Sequence, residues 1–262
     1  MKNLKTYDEE EIMEPVDTGG SGGGARQVVW PFMAAAHDRV REKENFDFDW
    51  KFILNADDQA NAGMQVSETG WQDVQLPHDW SISQNFDPKL SGSNGHLPGG
   101  IGWYRKMFRV DKKDKGRRIA VLFDGIYSRS DVYVNGQHLG FRPYGFCYQE
   151  YDLTPYLNYG AENVLAVRVN NPLEHDSVAR WYTGAGIYRH AWLVKTAEVH
   201  VASYGTYVTT PVVTAERAEV RVRTSVANEA ERTKTLSVRQ QITDGEGRTV
   251  VQSGKQALQV AA

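Results

Sequence analysis

An Asn-Gly pair set between two alternating segments, Asp131-Val-Tyr-Val-Asn-Gly-Gln-His-Leu-Gly140, constrains this chain more than any other local feature. Asn135 and Gly136 both tolerate positive φ, which the two central positions of a type I′ turn require. That turn carries the twist that lets two antiparallel strands continue out of it. Much of the rest of the chain repeats the same period of two. Phe46, Phe48 and Trp50 alternate with Asp47, Asp49 and Lys51, which reads as one half-buried strand. Trp71–Pro77 reads as a short strand stopped by proline, and Trp103–Val110 and Arg118–Phe123 as further strands. Asn163–Asn170 places Val164, Ala166 and Arg168 on one face and Leu165, Val167 and Val169 on the other. Helix signals are few. Thr154 as N-cap with Pro155 behind it starts a helix with room for about one turn before Asn158 and Gly160. A turn or two around Ala34-Ala35-Ala36, within residues 28–44, is the other candidate. Many short strands with almost no helix predict an all-β sandwich.

The chain has 262 residues, enough for one large domain or two ordinary ones. Residues 1–27 read as a flexible segment, with an acidic block at Glu9-Glu10-Glu11 and a glycine linker at 19–24. A first domain is expected over 28–198, its sandwich beginning near residue 40. A second sandwich is expected over 199–262, from strands at Glu198–Val213, Ala218–Ala227, Leu236–Thr243 and Arg248–Gly254 with a hairpin turn at Asp244-Gly245. An immunoglobulin-like sandwich needs about 100 residues, so the second one is expected to be partial. Its open sheet edge is expected to pair with another copy, or to be poorly ordered beyond about residue 250.

Composition narrows the function classes. A net charge of −3 gives no electrostatic ground for nucleic acid or an anionic membrane as partner. No apolar run approaches the roughly 18–20 residues that span a bilayer. The acidic stretch Met1–Asp17 lacks a signal-peptide core, so nothing visible exports the chain; the expectation is a soluble protein, cytoplasmic, or periplasmic or secreted with a signal removed. The single cysteine, Cys147, excludes an internal disulfide, and its aromatic surroundings suggest a buried, inert thiol. The histidines are scattered without metal-ligand spacing, so no metal site and no cofactor is expected.

The stretch Ser177–Trp192 is chemically richest. It sets Arg180, Trp181 and Tyr182 against the tight turn Gly184-Ala185-Gly186, with a strand Ile187–Val194 behind. Aromatic faces accept the C–H face of a pyranose and a guanidinium reaches its hydroxyls. The alternative is a glycine turn whose aromatics plug a sandwich edge. Residues 81–102 form a long loop rich in Gly, Ser, Asn and Pro, of the kind that usually serves a function.

Several of these pieces stand together in an order that resembles the N-terminal portion of glycoside hydrolase family 2, the β-galactosidase and β-glucuronidase family. They are Phe46–Phe52, Leu76-Pro-His-Asp-Trp80, Gly100-Ile-Gly-Trp-Tyr-Arg105, Phe123-Asp-Gly-Ile126, Asp131–Gly140, Tyr151-Asp-Leu-Thr154, Asn163–Asn171, Arg180–Arg189 and Val201–Val213. Leu-Pro-His-Asp-Trp followed by Arg-Trp-Tyr-x-Gly-Ala-Gly-Ile-Tyr-Arg resembles the β-galactosidase branch most. The resemblance implies a jelly-roll, galactose-binding-like sandwich, then an immunoglobulin-like sandwich, then a catalytic (β/α)₈ barrel with two glutamates working with retention. A barrel alone needs about 250 residues, so no catalytic residue is assigned here. The implied function is the non-catalytic N-terminal part of an enzyme that hydrolyses terminal β-galactosides, its partners a carbohydrate and the downstream barrel. A free-standing lectin-like module and a structural scaffold are the alternatives.

The resemblance points to two loops as a pocket wall. Asp79 is placed to accept hydrogen bonds from sugar hydroxyls, or to cap the backbone around Ser81. Trp80 stacks on a sugar or belongs to the core. Arg180 reaches the ligand or pairs with Asp176. Trp181 and Tyr182 are stacking candidates. Some relatives place an aspartate of this loop beside the sugar and a cation, where this chain has Arg180; no metal role is assigned.

Overall fold

The computed structural model describes residues 11–12, 41–54, 58–92, 95–172 and 181–262. The Ala34–Ala36 helix expectation and the glycine linker lie outside these. The chain divides into two compact units, one spanning Arg41–Thr196 and the other built on Ala197–Ala262. In chain order the strands are β1 (Glu11–Ile12), β2 (Arg41–Asn45), β3 (Trp50–Leu54), β4 (Gln72–Val74), β5 (Gly100–Arg109), β6 (Arg118–Phe123), β7 (Ser130–Val134), β8 (Gln137–Arg142), β9 (Gln149–Asp152), β10 (Glu162–Asn171) and β11 (Ala191–Thr196). They are followed by β12 (Val199–Val213), β13 (Ala218–Asn228), β14 (Lys234–Val238), β15 (Gln241–Thr243), β16 (Thr249–Gln252) and β17 (Gln256–Val260). Among the described residues the helical turns are short 3₁₀ turns, and the all-β expectation holds.

The first unit packs a six-stranded sheet, β4-β3-β5-β10-β7-β8, against a four-stranded one, β2-β11-β6-β9. Asn135 (φ 50°) and Gly136 (φ 84°) join β7 to β8 as the sequence demands. Leu165, Val167 and Val169 of β10 enter the core between the sheets with Trp50, Phe52, Tyr104, Val121, Phe123 and Leu193. Ala166, on the opposite face of β10, packs with Trp103 and Ala62 in a second cluster outside the six-stranded sheet. Arg105 anchors the segment that covers that outer face. It is 1% exposed, and its Nη1 donates to the carbonyls of Asn61 and Gly63 at 2.5 and 2.7 Å. Glu68 faces its Nε at 3.3 Å, which balances the buried charge.

Several local expectations are corrected. Phe46–Trp50 is not one strand. The chain leaves β2 in one sheet and enters β3 in the other, with Asp49 at φ 57° between them. Phe46 and Trp50 are buried, but Phe48 is exposed. Thr154 is not a cap: Leu153 caps the 3₁₀ turn Thr154–Tyr156. The Thr154 hydroxyl is spent on the Ile119 amide, 2.8 Å away in β6, and the Asp152 carboxylate receives the Thr154 N–H. The Ile187–Val194 strand begins only at Ala191, because Gly186–His190 belong to the loop end described below. Cys147 is half-buried, not buried, its Sγ 3.7 Å from the Tyr144 carbonyl.

In the second unit β12 and β13 form a long antiparallel pair, while β14 pairs with β17 and β15 with β16. The Asp244-Gly245 turn is present. Asp244 accepts hydrogen bonds from the Glu246 and Arg248 amides, and Gly247 takes φ 81°. Leu236–Thr243 is broken into two strands. At the break, Gln240 directs its amide to the Val222 carbonyl and the Thr224 hydroxyl of β13. Glu11–Ile12, expected in an unfolded leader, pair with β13 opposite Val222 and Arg221.

Candidate functional site

Two loops at one end of the first sandwich are laced together by backbone. His78 N–H donates to the Ile187 carbonyl at 2.8 Å, and Trp80 N–H to the Ala185 carbonyl at 3.1 Å. Asp79, between them, turns its carboxylate toward the 181–186 segment. Oδ1 accepts from the amides of Ser81 and Ala185, both at 2.9 Å, and Oδ2 accepts from the Tyr182 hydroxyl at 2.6 Å. The Asp79 cap on Ser81 is therefore present, and it is one of three bonds. A carboxylate has about four acceptor positions, and these bonds within the protein take three of them.

The glycines at 184 and 186 are required by this lacing. Gly184 sits at φ 71°, and a Cβ there would lie 2.7 Å from Asp79 Oδ2. Gly186 sits at φ 128°, and a Cβ there would run into the Tyr104 hydroxyl and the His78 carbonyl. Asn171, at the end of β10, donates from its side chain to the Gly184 carbonyl at 3.2 Å. The turn is thus held from three directions by atoms distant in sequence.

Each predicted site residue has a definite place. Asp79 and Tyr182 come together, whereas the Trp181 ring lies toward Phe146, with centroids 6.3 Å apart. Tyr182 is held by its hydroxyl with the ring 41% exposed, and Trp181 is 60% exposed. Burial, and then the adjoining Asp79 carboxylate, push the pKa of the Tyr182 hydroxyl well above its ordinary value, so it stays a donor. Trp80 corrects the stacking expectation. It is 1% exposed, stacked on Phe52 with ring centroids 5.5 Å apart and close to Tyr104, so no ring face meets solvent. Its indole N–H points to the Gly99 carbonyl at 3.4 Å. Arg180 and Asp176 lie outside the described residues. Among the described residues no group of three or more His, Cys, Asp or Glu is arranged to hold a metal ion.

Sequence reasoning missed two participants. Asp47, 4% exposed, accepts from His190 Nδ1 at 2.7 Å and from the Ala191 amide at 2.8 Å, fixing the exit of the 181–190 segment. His78 places Nδ1 2.8 Å from the Tyr104 hydroxyl beneath the loop. Burial lowers the His78 pKa below its ordinary 6.5, more than the neighbouring Asp79 charge raises it. The unfolded chain therefore takes up this proton at a higher pH than the folded one. The His78 contribution to stability is whole above pH 6.5 and is lost as pH falls from there through the lowered folded-state value. Urea titrations between pH 7.5 and 5 are expected to show this loss in the native chain and a smaller one in His78→Gln. Equal slopes would contradict it.

The chain matches the model of glycosyl hydrolases family 2, sugar binding domain, over residues 44–197. It is 45% identical over 216 residues to a β-galactosidase of Bacteroides ovatus, covering 81% of this chain and 25% of that protein. A β-glucuronidase of Formosa agariphila is 34% identical over 242 residues, covering 82% of this chain and 24% of that protein. A solved family 2 member from Bacteroides cellulosilyticus superposes with a TM-score of 0.74 at 40% identity, over 84% of this chain and 29% of its own. The chain spans about a quarter of the length of these curated relatives. The family match over the jelly-roll unit, together with these likenesses, establishes that the chain belongs to glycosyl hydrolases family 2, through that family's sugar binding domain.

Proposed function

We propose that this chain is the non-catalytic sugar-binding part of a β-galactosidase-like retaining glycoside hydrolase, which hydrolyses terminal β-galactosides as a full-length enzyme. The observation that carries the reading is the latch between Asp79 and the Tyr182-to-Ala185 turn. It sets the exposed Tyr182 ring beside a carboxylate, with the exposed Trp181 next to it in the chain. The greater likeness to a β-galactosidase, 45% identity against 34% for the β-glucuronidase, favours the galactoside.

In this role Asp79 is a positioning group. Its lone pairs are largely committed to Ser81, Ala185 and Tyr182, so it shapes a wall and accepts a hydroxyl; it does not deliver a proton. The two carboxylates of a retaining glycosidase stand about 5–5.5 Å apart across the scissile bond, and the reading places them in a catalytic barrel outside this chain.

The test is an assay of the purified chain with nitrophenyl β-galactoside. The expected result is no release above buffer, and turnover by clean protein would overturn the proposal. Calorimetry with galactose in the same preparation is expected to be silent, since a wall supplies only part of a pocket. A saturable single site for galactose would favour the free-standing lectin instead.

A further inference from the structure

Beside the latch lies an aromatic surface that a terminal sugar does not account for. Phe146 is at its centre. Its ring centroid is 5.1 Å from Tyr127, 5.7 Å from Tyr144, 6.3 Å from Trp181 and 6.5 Å from Tyr188. Phe146 is 43% exposed, Tyr144 62% and Trp181 60%. Folded proteins seldom leave contiguous large rings in water without a use for them.

These rings are held rigidly. Tyr127 and Gly186 exchange two backbone hydrogen bonds, at 2.9 and 2.8 Å. The Tyr188 hydroxyl donates to the Gly145 carbonyl at 2.9 Å. A Cβ at Gly145 would strike Tyr127, so the chain passes flush against that ring. The loop bearing Tyr144 and Phe146 and the loop bearing Trp181 are thereby one body before any ligand arrives, which lowers the ordering cost of binding.

The side-chain chemistry selects the ligand. Among the described residues of 141–148 and 181–188, every exposed large apolar side chain is aromatic, while the aliphatic Ala185 and Ile187 are fully buried. Bare rings edged by tyrosine hydroxyls suit the alternating C–H and O–H faces of pyranoses. The chain itself links this surface to the candidate site: Trp181, whose ring meets Phe146, is followed by Tyr182, whose hydroxyl is on Asp79.

We propose that this surface binds the sugar units that follow the terminal one, so that the preferred ligand is a β-linked oligosaccharide, with Trp181 and Phe146 as its stacking residues. The proposal rests on the sugar-binding reading above and adds the substrate class.

The test titrates the whole chain with β-1,4-galactotetraose and, separately, with galactose, by calorimetry. The tetraose is expected to bind with a dissociation constant of about 1 mM, with galactose silent at the same concentrations. Trp181→Ala and Phe146→Ala are each expected to weaken tetraose binding about tenfold, and Trp181→Phe much less. Trp181 is exposed enough for truncation to spare the core. Melting curves check Phe146→Ala, and if that variant melts early Trp181→Ala alone decides. Absence of saturable tetraose binding, or native affinity in Trp181→Ala, overturns the oligosaccharide site and leaves the non-catalytic reading standing. Equal affinity for galactose and tetraose overturns this proposal and the pocket-wall role together. Self-association in sedimentation that disappears in Trp181→Ala would make the surface a contact between copies, and would also overturn it.

Discussion

Gly186→Ala is expected to lower the stability of the first unit by about 4 kcal/mol. Two costs combine. At φ 128° the backbone lies where only glycine is comfortable, and holding another residue there costs about 1–3 kcal/mol. The added methyl also meets the Tyr104 hydroxyl and the His78 carbonyl. Neither is a flexible side-chain end: Tyr104 is fully buried, and the His78 carbonyl is backbone. Overpacking of this kind costs about 1–3 kcal/mol more. Relief requires Gly186 to move away, which breaks its bridge to Tyr127 and separates the two loops. Urea denaturation of the variant against the native chain measures the loss, and a change under about 1 kcal/mol would show that the turn is not locked as described.

Asp79→Ala is expected to cost about 3 kcal/mol. The substitution leaves the amides of Ser81 and Ala185 and the Tyr182 hydroxyl without their acceptor. Ala185 is fully buried, so water does not replace the lost partner there, and an orphaned buried donor costs about 1–3 kcal/mol. Asp79→Asn separates the contributions. Its oxygen can still accept from the two amides, but its NH₂ cannot accept from Tyr182, so about half the loss is expected. The same variant removes the negative charge beside Tyr182, and ultraviolet titration should show the phenol ionising at lower pH than in the native chain, closer to its ordinary 10. An unchanged Tyr182 titration would mean that the hydroxyl does not sit on Asp79.

The parts of the fold legible in the sequence are those decided within a few residues. Asn135-Gly136 fixes its own turn because positive φ is a local property. The two faces of β10 follow from a period of two, and Leu165, Val167 and Val169 do enter the core. What failed was decided at long range. Alternation at Phe46, Phe48 and Trp50 records which side chains want burial, and says nothing of a change of sheet at Asp47 to Asp49. That change is stabilised by bonds from Asp47 to His190 and Ala191, more than 140 residues on. Thr154 has the chemistry of a cap, but the Ile119 amide claims its hydroxyl.

The candidate site divides the same way. The Gly184-Ala185-Gly186 turn and its exposed neighbours Trp181 and Tyr182 can be read directly. Trp80 cannot be assigned to core or ligand without knowing that Phe52 lies against it. The Phe146 cluster draws rings from residues 127, 144, 146, 181 and 188, so only folding reveals it. Its one sequence signal is the density of aromatics over Phe141–Tyr148.

β2 and β11, the first and last strands of the jelly-roll unit, lie side by side, with Arg41 opposite Thr196. The polypeptide therefore enters and leaves this unit through one doorway. Units with neighbouring ends tolerate transplantation and circular permutation, so Arg41–Thr196 has the makings of a portable cassette. Fresh termini opened at an exposed turn such as Lys115-Gly116, with a short linker across the doorway, would leave the latch and its aromatic neighbours in place.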